Sequence, residues 1–572
     1  MPANFVSPPH RYRFVVAIFA ILLALSMTLA ACGGGSTTTT PTSALRILSS
    51  PGQPNPDLFN PFFNTNQGGD YGAQGLLYEE LYFTNLYTGQ ASAWLASSES
   101  YSNDLTQLTF KLRTDVKWSD GQPFSSNDVK FTFDLMKQYP ALDQGSVWAT
   151  LLKSVDAPDS STVVFNLQHA DSTALFRIGD SVFIVPQHIW ANVSGDPAKF
   201  ANDHNPVGTG PYMLKSFTPD LITYTANPHY WGIKPQVQTI QIPSIKDNTT
   251  AITAMVKGQL DWAGIGWSPD NDAAFTGKDS QHNHTWFAAS NTVMLYLNLR
   301  KAPFNNLLVR KAISAAINRS QLPQGVAQYA AVANPTGVII PTNTSWISPQ
   351  YQSMSFENGQ NKVDSYLTQA GFTKGSDGYY HDASGQVLSL PIDVVSGWND
   401  WDQDVQFIVN DLNKAGIKAS MNAQSGYTPY YTAISTGSYD AAISWTNSGP
   451  TPYYAYLALL NSANAAPQVA VGTNFERWDA SSSKGYAAKT DQLLAQYQST
   501  SDPNAQMQAI QGIEDIIVSQ LPVIPLTVNV YWDEYTTTHF TGWPSAADSY
   551  DSGAPYNMPD AANVILHLKP IS

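Results

Sequence analysis

The sequence predicts an α/β (mixed α+β) protein built from several packing units, and three observations carry that expectation. Helical and strand periodicities are interleaved from about residue 44 to the end of the chain. The 572 residues are too many for one core, since single domains run to roughly 100–200 residues. Hydrophobic residues make up 43% and charged residues 13%, which is a globular composition rather than a disordered one. The single cysteine, Cys32, excludes a disulfide within the chain, so burial of apolar surface must hold the fold together.

The elements follow in order. Leu45, Arg46, Ile47 and Leu48 read as a first strand. Over 108–113, Leu108, Phe110 and Leu112 alternate with polar neighbours, the mark of a strand with one buried face. Asp120-Gly121 gives a turn. Ser125 then starts a helix, with Asp128 placed to complete a capping box and Phe124 and Val129 at the staple positions. Val163, Phe165 and Leu167 mark another strand, and 295–299 a further one. Val309, Ile313 and Ile317 recur every four residues, as on one helix face. A helix over about 402–414 turns Val405, Ile408, Val409 and Leu412 inward and stops at Gly416, a left-handed cap. Met507, Ile510, Ile513 and Ile517 define the last long helix, and 523–526 a strand after it. No internal repeat is evident.

The first forty residues read as an address. His10, Arg11 and Arg13 precede an apolar run over 14–25, and Leu29-Ala30-Ala31-Cys32 follows. This is the layout of a signal peptide, 1–32, too short and wrongly flanked for a stable span. Its end resembles the bacterial lipobox, in which the cysteine thiol receives diacylglycerol. An uncleaved anchor, or an ordinary signal peptide with a chance cysteine, is the rival reading. Residues 33–43, rich in Gly, Ser and Thr, form a flexible tether.

Several function classes recede on chemistry. A net charge of -15 opposes nucleic-acid binding and broad adhesion to anionic lipid. Gly208 and Gly210 suggest a phosphate loop, but no Gly-Lys-Ser/Thr follows and Pro211 removes an N–H donor. His282 and His284 lack an evident third metal ligand. Neither a His-Glu-x-x-His nor a Gly-x-Ser-x-Gly motif occurs. A glycoside-hydrolase acid pair need only meet in space, so a secreted hydrolase stays open as an alternative, as does a surface sensor.

Five segments occur in an order that resembles the extracytoplasmic solute-binding proteins of the oligopeptide/dipeptide class, solute-binding protein family 5, which serve ATP-driven importers. They are 110–129 with Trp118-Ser119-Asp120-Gly121, 206–232 with Asn227-Pro228-His229-Tyr230-Trp231, 258–261, Asn298 with 303–312, and 411–417. The resemblance spans about 45–572. It implies a two-lobed periplasmic-binding-protein-like fold with an inserted subdomain in the first lobe. The first lobe would comprise 44–85, 205–292 and 525–572, the inserted subdomain 86–204 and the second lobe 293–524, with hinge crossings near 292 and 524. It further implies a monomer without cofactor or metal. The partners would be a small ligand, the permease subunits of an ABC importer and, through Cys32, the outer face of the membrane.

Peptide binders of this class use an acidic residue three positions after a Trp to hold the ligand's α-ammonium. Here Trp445 matches, and Ser448 stands at the acidic position. Glu79, Asp400 or Asp440 could supply the missing charge. Trp398-Asn399-Asp400-Trp401 places two indoles beside amide and carboxylate groups, which suits sugar hydroxyls and ring faces as well; packing at the start of the following helix is the alternative. The segments 540–544 and 553–568 also resemble family members that take oligosaccharides. The expected ligand-binding residues are Glu79, Trp398, Asp400, Trp401, Trp445, Asn447, Ser448 and Tyr453, for an oligopeptide-class ligand or alternatively an oligosaccharide.

Overall fold

The computed structural model describes residues 44–48, 55–63, 71–324 and 329–571. The expected signal peptide, Cys32 and the tether lie outside the described residues. The body is mixed α/β, as the interleaved periodicities predict. A seven-stranded sheet runs in the order Asn283–Thr285, Glu534–Thr536, Trp262–Ala263, Leu45–Leu48, Thr239–Pro243, Leu221–Ala226, Tyr212–Thr218. A six-stranded sheet runs Ala331–Val332, Ile524–Val530, Ala289–Leu297, Ala441–Trp445, Ser389–Val395, Lys418–Gln424.

A third, four-stranded antiparallel sheet is ordered Ala96–Tyr101, Gln107–Leu112, Thr162–Leu167, Leu152–Asp159. Leu108, Phe110 and Leu112 point to its buried face. The helix Ser126–Gln138 covers that face, with Phe133 edge-on to Phe165 at 4.8 Å. The capping box is present: Ser125 Oγ accepts from the Asn127 N–H, and Asp128 Oδ2 accepts from the Ser125 N–H at 2.9 Å. Gly208 and Gly210 serve close approach rather than phosphate. A Cβ at Gly208 would stand 1.8 Å from the Leu77 carbonyl oxygen, and one at Gly210 2.4 Å from that of Leu76.

The six-stranded sheet has its own core, in which Leu295, Ile392 and Ile443 meet Val309, Ile313, Val405, Ile408, Leu412, Ile510, Ile513 and Ile517 from the flanking helices. Gly416 caps the helix Asn399–Ala415 at φ 94°, in the left-handed region that favours glycine. That helix starts three residues before the expected 402, so Asp400 and Trp401 lie in its first turn.

The chain passes between the two large sheets at 286–288 and 531–533, not near 292 and 524. Both of the latter positions lie inside strands of the six-stranded sheet. Ile524–Val530, whose residues from 525 on were assigned to the first lobe, pairs antiparallel with Ala289–Leu297. The two crossings are bonded to each other: the Trp286 N–H donates to the Asp533 carbonyl at 2.9 Å and the Tyr531 N–H to the Ala288 carbonyl at 2.7 Å. Polar residues at the start of Ala289–Leu297 (Ser290, Asn291, Thr292) concealed where that strand begins.

Candidate functional site

Four aromatic side chains meet at the C-terminal ends of two neighbouring strands. Trp398 follows the Ser389–Val395 strand and stands at the N-cap of the helix Asn399–Ala415. Trp445 ends the parallel strand Ala441–Trp445. Ligand clefts of open α/β sheets form at such strand ends. Trp398 stacks on Trp445 at 5.7 Å and 21°, and on Tyr427 at 5.7 Å and 19°. Trp401 packs against both indoles, at 5.1 Å and 5.2 Å. Trp401 is only 3% exposed and belongs to the core, whereas Trp398 and Trp445 are half-buried.

Beyond Trp445 the chain is pinned to the adjoining strand. The Thr446 N–H donates to the Thr292 carbonyl at 2.9 Å, and Ser448 Oγ donates to the Ser290 carbonyl at 3.3 Å. Asn447 is exposed beside them. Within this region Ser290 Oγ and Asn291 Oδ1 are buried without a hydrogen-bond partner. Buried polar atoms are normally satisfied, which singles these two out in this region.

The first turn of the helix also opens onto a cavity of about 10 Å3, lined among others by Asp400, Trp401, Asp404, Asn529, Val530 and Trp532. Asp400 is half-buried as a residue. Its carboxyl is nevertheless pushed up to about 6, by burial first and by the Asp402 charge as well, against the Trp401 N–H. Asp404 is 2% exposed, and its Oδ1 has no partner. Burial, then the Asp400 charge, holds its carboxyl well above the usual carboxylate range.

The structure thus brings together Trp398, Asp400, Trp401, Trp445, Asn447 and Ser448. It places Glu79 and Tyr453 elsewhere. Glu79 is 1% exposed and accepts from Trp94 Nε1 at 2.7 Å, the Tyr230 hydroxyl at 3.0 Å and Trp231 Nε1 at 3.0 Å. Its oxygens knit an aromatic cluster together. Tyr453 is fully buried and stacks on Tyr497 at 4.3 Å. Asp440 is paired with Lys301 at 2.8 Å. His282 bonds Asp279 and His284 tilts over Tyr535. Among the described residues no group of three or more His, Cys, Asp or Glu is placed to hold a metal ion.

Asp404 was passed over in the sequence. Its signal was an acid on the inward face of an amphipathic helix, one turn after Asp400 and next to Val405.

Comparison with known proteins decides the family. Residues 90–467 match the model of the bacterial extracellular solute-binding proteins, family 5 Middle. The chain belongs to this family. Family 5 relatives include the dipeptide-binding protein of Escherichia coli, 25% identical over 492 residues, which cover 82% of this chain and 86% of that protein. The Thermotoga maritima periplasmic oligopeptide-binding protein with bound mannohexaose superposes with a TM-score of 0.81 at 24% identity, covering 93% of this chain and 99% of the other. The Bacillus subtilis oligopeptide-binding protein AppA, in complex with a nonapeptide, gives 0.74 at 20% identity over 93% and 99%. These likenesses give the two-lobed binding-protein fold. As a family 5 member the chain is an extracellular solute-binding protein, and among its described residues no helix is long and apolar enough to cross a membrane.

Proposed function

We propose that the chain is the solute-binding subunit of an ABC importer, capturing an oligopeptide-class ligand between two lobes and delivering it to the permease. The observation that carries this is the family 5 match over residues 90–467, with the Trp398–Trp445 stack at the strand ends as the candidate ligand wall. A wall of this kind offers apolar area to a ligand's side chains. The relatives named for dipeptides and oligopeptides support the peptide class. The seven-stranded sheet would centre one lobe and the six-stranded sheet the other, with 86–204 as the inserted subdomain and 286–288 and 531–533 as the hinge. Lipid attached at Cys32 would hold the monomer near its permease, raising effective concentration without new contacts.

A second reading, an oligosaccharide ligand, draws on the near-parallel Trp398, Tyr427 and Trp445 rings, which offer flat faces to sugar rings, and on the mannohexaose-bound structural relative. Native mass spectrometry of gently purified protein tests the two. A co-purified peptide mass is expected; a hexose-spaced ladder would replace the peptide reading with the second.

A further inference from the structure

We propose that the end of the seven-stranded sheet at which the chain from Cys32 enters is a lipid-facing surface, which rests on anionic headgroups and turns the ligand cleft outward. The inference rests on the reading of Cys32 as the lipid attachment and adds to it which face of the body meets the membrane.

Strand direction decides which residues share that end. Leu45–Leu48 runs parallel to Thr239–Pro243, with Leu45 level with Ile240, and parallel to Trp262–Ala263, with Ile47 level with Trp262. Ala44 and the residues that lead into the other two strands, 233–238 and 257–261, therefore lie together. Glu534–Thr536 runs antiparallel to Trp262–Ala263 and so ends where the others begin. Hydrogen bonds tie this end together. Arg46 Nη1 donates to the Gly258 carbonyl at 2.9 Å, the Thr536 N–H to the Asp261 carbonyl at 2.9 Å, and the Ile571 N–H to the His539 carbonyl at 2.8 Å. The crossings 286–288 and 531–533 adjoin the opposite ends of Asn283–Thr285 and Glu534–Thr536. The chain thus leaves for the six-stranded sheet from the other side.

Apolar and basic side chains gather at this end. Ile233 is 64% exposed, the most exposed large apolar side chain among the described residues, and Ile571 is 48% exposed. Lys234 follows Ile233, Lys569 stands two positions before Ile571, and Lys257 adjoins Gly258; all three lysines are exposed. Lys278 is exposed as well and donates to the Val256 carbonyl, beside Lys257. Two acids at this end are already held. Asp261 is fully buried and pairs with Arg46 and His539, each at 2.7 Å, and Asp279 bonds His282. An isoleucine on such a rim sheds water on entering the headgroup boundary, and the lysines beside it meet lipid phosphate.

The tether chooses the occupant. Residues 33–43 reach about 40 Å at full stretch and span about 20 Å as a flexible chain. Lipid on Cys32 therefore keeps this end close to the headgroups. Charge sets the pose. The formal net charge of -15 repels the body as a whole from an anionic leaflet, while the basic end is attracted within a Debye length, about 8–10 Å. The tethered body turns that end down, and the cleft faces arriving solute.

The test uses the full chain, lipidated and reconstituted in vesicles of equimolar phosphatidylcholine and phosphatidylglycerol. Lipid on Cys32 occupies the only native thiol, so an introduced cysteine is the single dye site. Gln236→Cys labels this end and keeps Ile233 and the lysines. Asp220→Cys labels the exposed turn at the opposite end of the same sheet. A nitroxide on the lipid headgroup quenches whichever dye touches the bilayer. Quenching at 236 is expected to exceed that at 220 at least threefold. Lys234→Glu/Lys257→Glu/Lys569→Glu, or vesicles of phosphatidylcholine alone, should remove the difference while the protein still floats with the vesicles. Equal quenching at the two sites in floating wild type would overturn the surface and leave the anchor standing. A difference that survives both charge reversal and neutral lipid would also overturn it, because the tether alone would then set the pose. Energy transfer between copies labelled at 236, without quenching, would give the face to a second copy instead. Wild type that does not float and takes up dye at Cys32 would overturn the anchor and this surface together.

Discussion

Ser172 donates its backbone N–H to the carbonyl of Gln498 at 2.7 Å, joining the segment of the four-stranded sheet to a helix that packs with the six-stranded one. Gln498 returns a bond to Asp171 Oδ2 at 3.3 Å, and Gln506 donates to Ser172 Oγ at 3.2 Å. Phe176 meets Tyr454 edge-on at 4.6 Å nearby. These contacts bridge parts of the molecule that the covalent crossings at 286–288 and 531–533 do not join directly. They are placed to latch the arrangement of the sheets. Side-chain hydrogen bonds of this kind contribute about 0.5–1.5 kcal/mol each. The double variant Gln498→Ala/Phe176→Ala should therefore populate a more extended form without ligand. Small-angle scattering reads it as a larger radius of gyration, and a profile identical to wild type would show the latch to be inert.

The two indoles at the helix start should separate by readout. Trp398 is half-buried at the N-cap and faces the stack, whereas Trp401 is 3% exposed and packed in the core. Trp398→Ala should lower ligand affinity by about 1–3 kcal/mol, or roughly 5- to 150-fold, with little change in melting temperature. Trp401→Ala should instead cost about 3–5 kcal/mol of stability. Calorimetry beside thermal denaturation distinguishes them. A Trp398 variant that melts early but binds normally would make that residue a packing element.

Much of this was legible in the sequence, for reasons that are local. The box between Ser125 and Asp128, the Gly416 cap and the alternation through Leu108, Phe110 and Leu112 each depend on residues within a few positions of one another. What stayed hidden depends on distant partners. Glu79 was expected to meet ligand, yet Tyr230 and Trp231, 151 and 152 positions away, occupy its oxygens. The helix Asn399–Ala415 began early because Trp398 occupies its N-cap without a side-chain bond, leaving no Ser, Thr or Asp signal to read. Asp404 carried no local mark of its burial, because the strand Ile524–Val530 that lines its cavity lies more than a hundred positions away.

Glu79 gives the fold a pH dependence of known sign. Burial pushes its carboxyl up to about 7 from the usual 4.5, the three ring donors opposing. The folded state thus holds the proton more tightly than the unfolded chain. That stability is fully present below about pH 4.5 and is lost as pH rises through 7. The size is about 3 kcal/mol. Asp180, pushed up to about 7 by burial, acts in the same direction. Glu79→Gln should destabilise the protein strongly at pH 5 and by about 3 kcal/mol less at pH 8. Urea denaturation at the two pH values measures the difference; an equal loss at both would mean that Glu79 is ionised throughout.

Cys32 should govern where the protein resides. Wild type is expected to sediment with membranes, and Cys32→Ser to be released or retained as unprocessed precursor. Detergent partitioning with mass measurement of the N-terminal peptide reads the lipid directly. Wild-type protein found wholly soluble outside the cell would remove the anchor.

The affinity for a free peptide should follow a bell in pH, because its two partners titrate on opposite sides of neutrality. On the protein side stands Asp400, pushed up to about 6 chiefly by burial. The titratable groups that couple to it are Asp402 and Asp404 from its own helix and Tyr556 from the C-terminal segment. All three are acids, so none holds the Asp400 carboxylate ionised by attraction. As pH falls through about 6, Asp400 takes up a proton and its attraction for an ammonium is lost. On the ligand side, the peptide α-amino group loses its proton near pH 8, and with it the charge that Asp400 would attract. Binding should therefore be tightest near pH 7 and weaken at least several-fold by pH 5 and again by pH 9.5. Asp400→Asn should lower the maximum and flatten the acid limb while leaving the alkaline limb, which belongs to the ligand, in place. Calorimetry from pH 4.5 to 9.5 on one peptide supplies both limbs. A flat profile across that range is the behaviour of an uncharged ligand, and with it the ammonium would have no part in recognition.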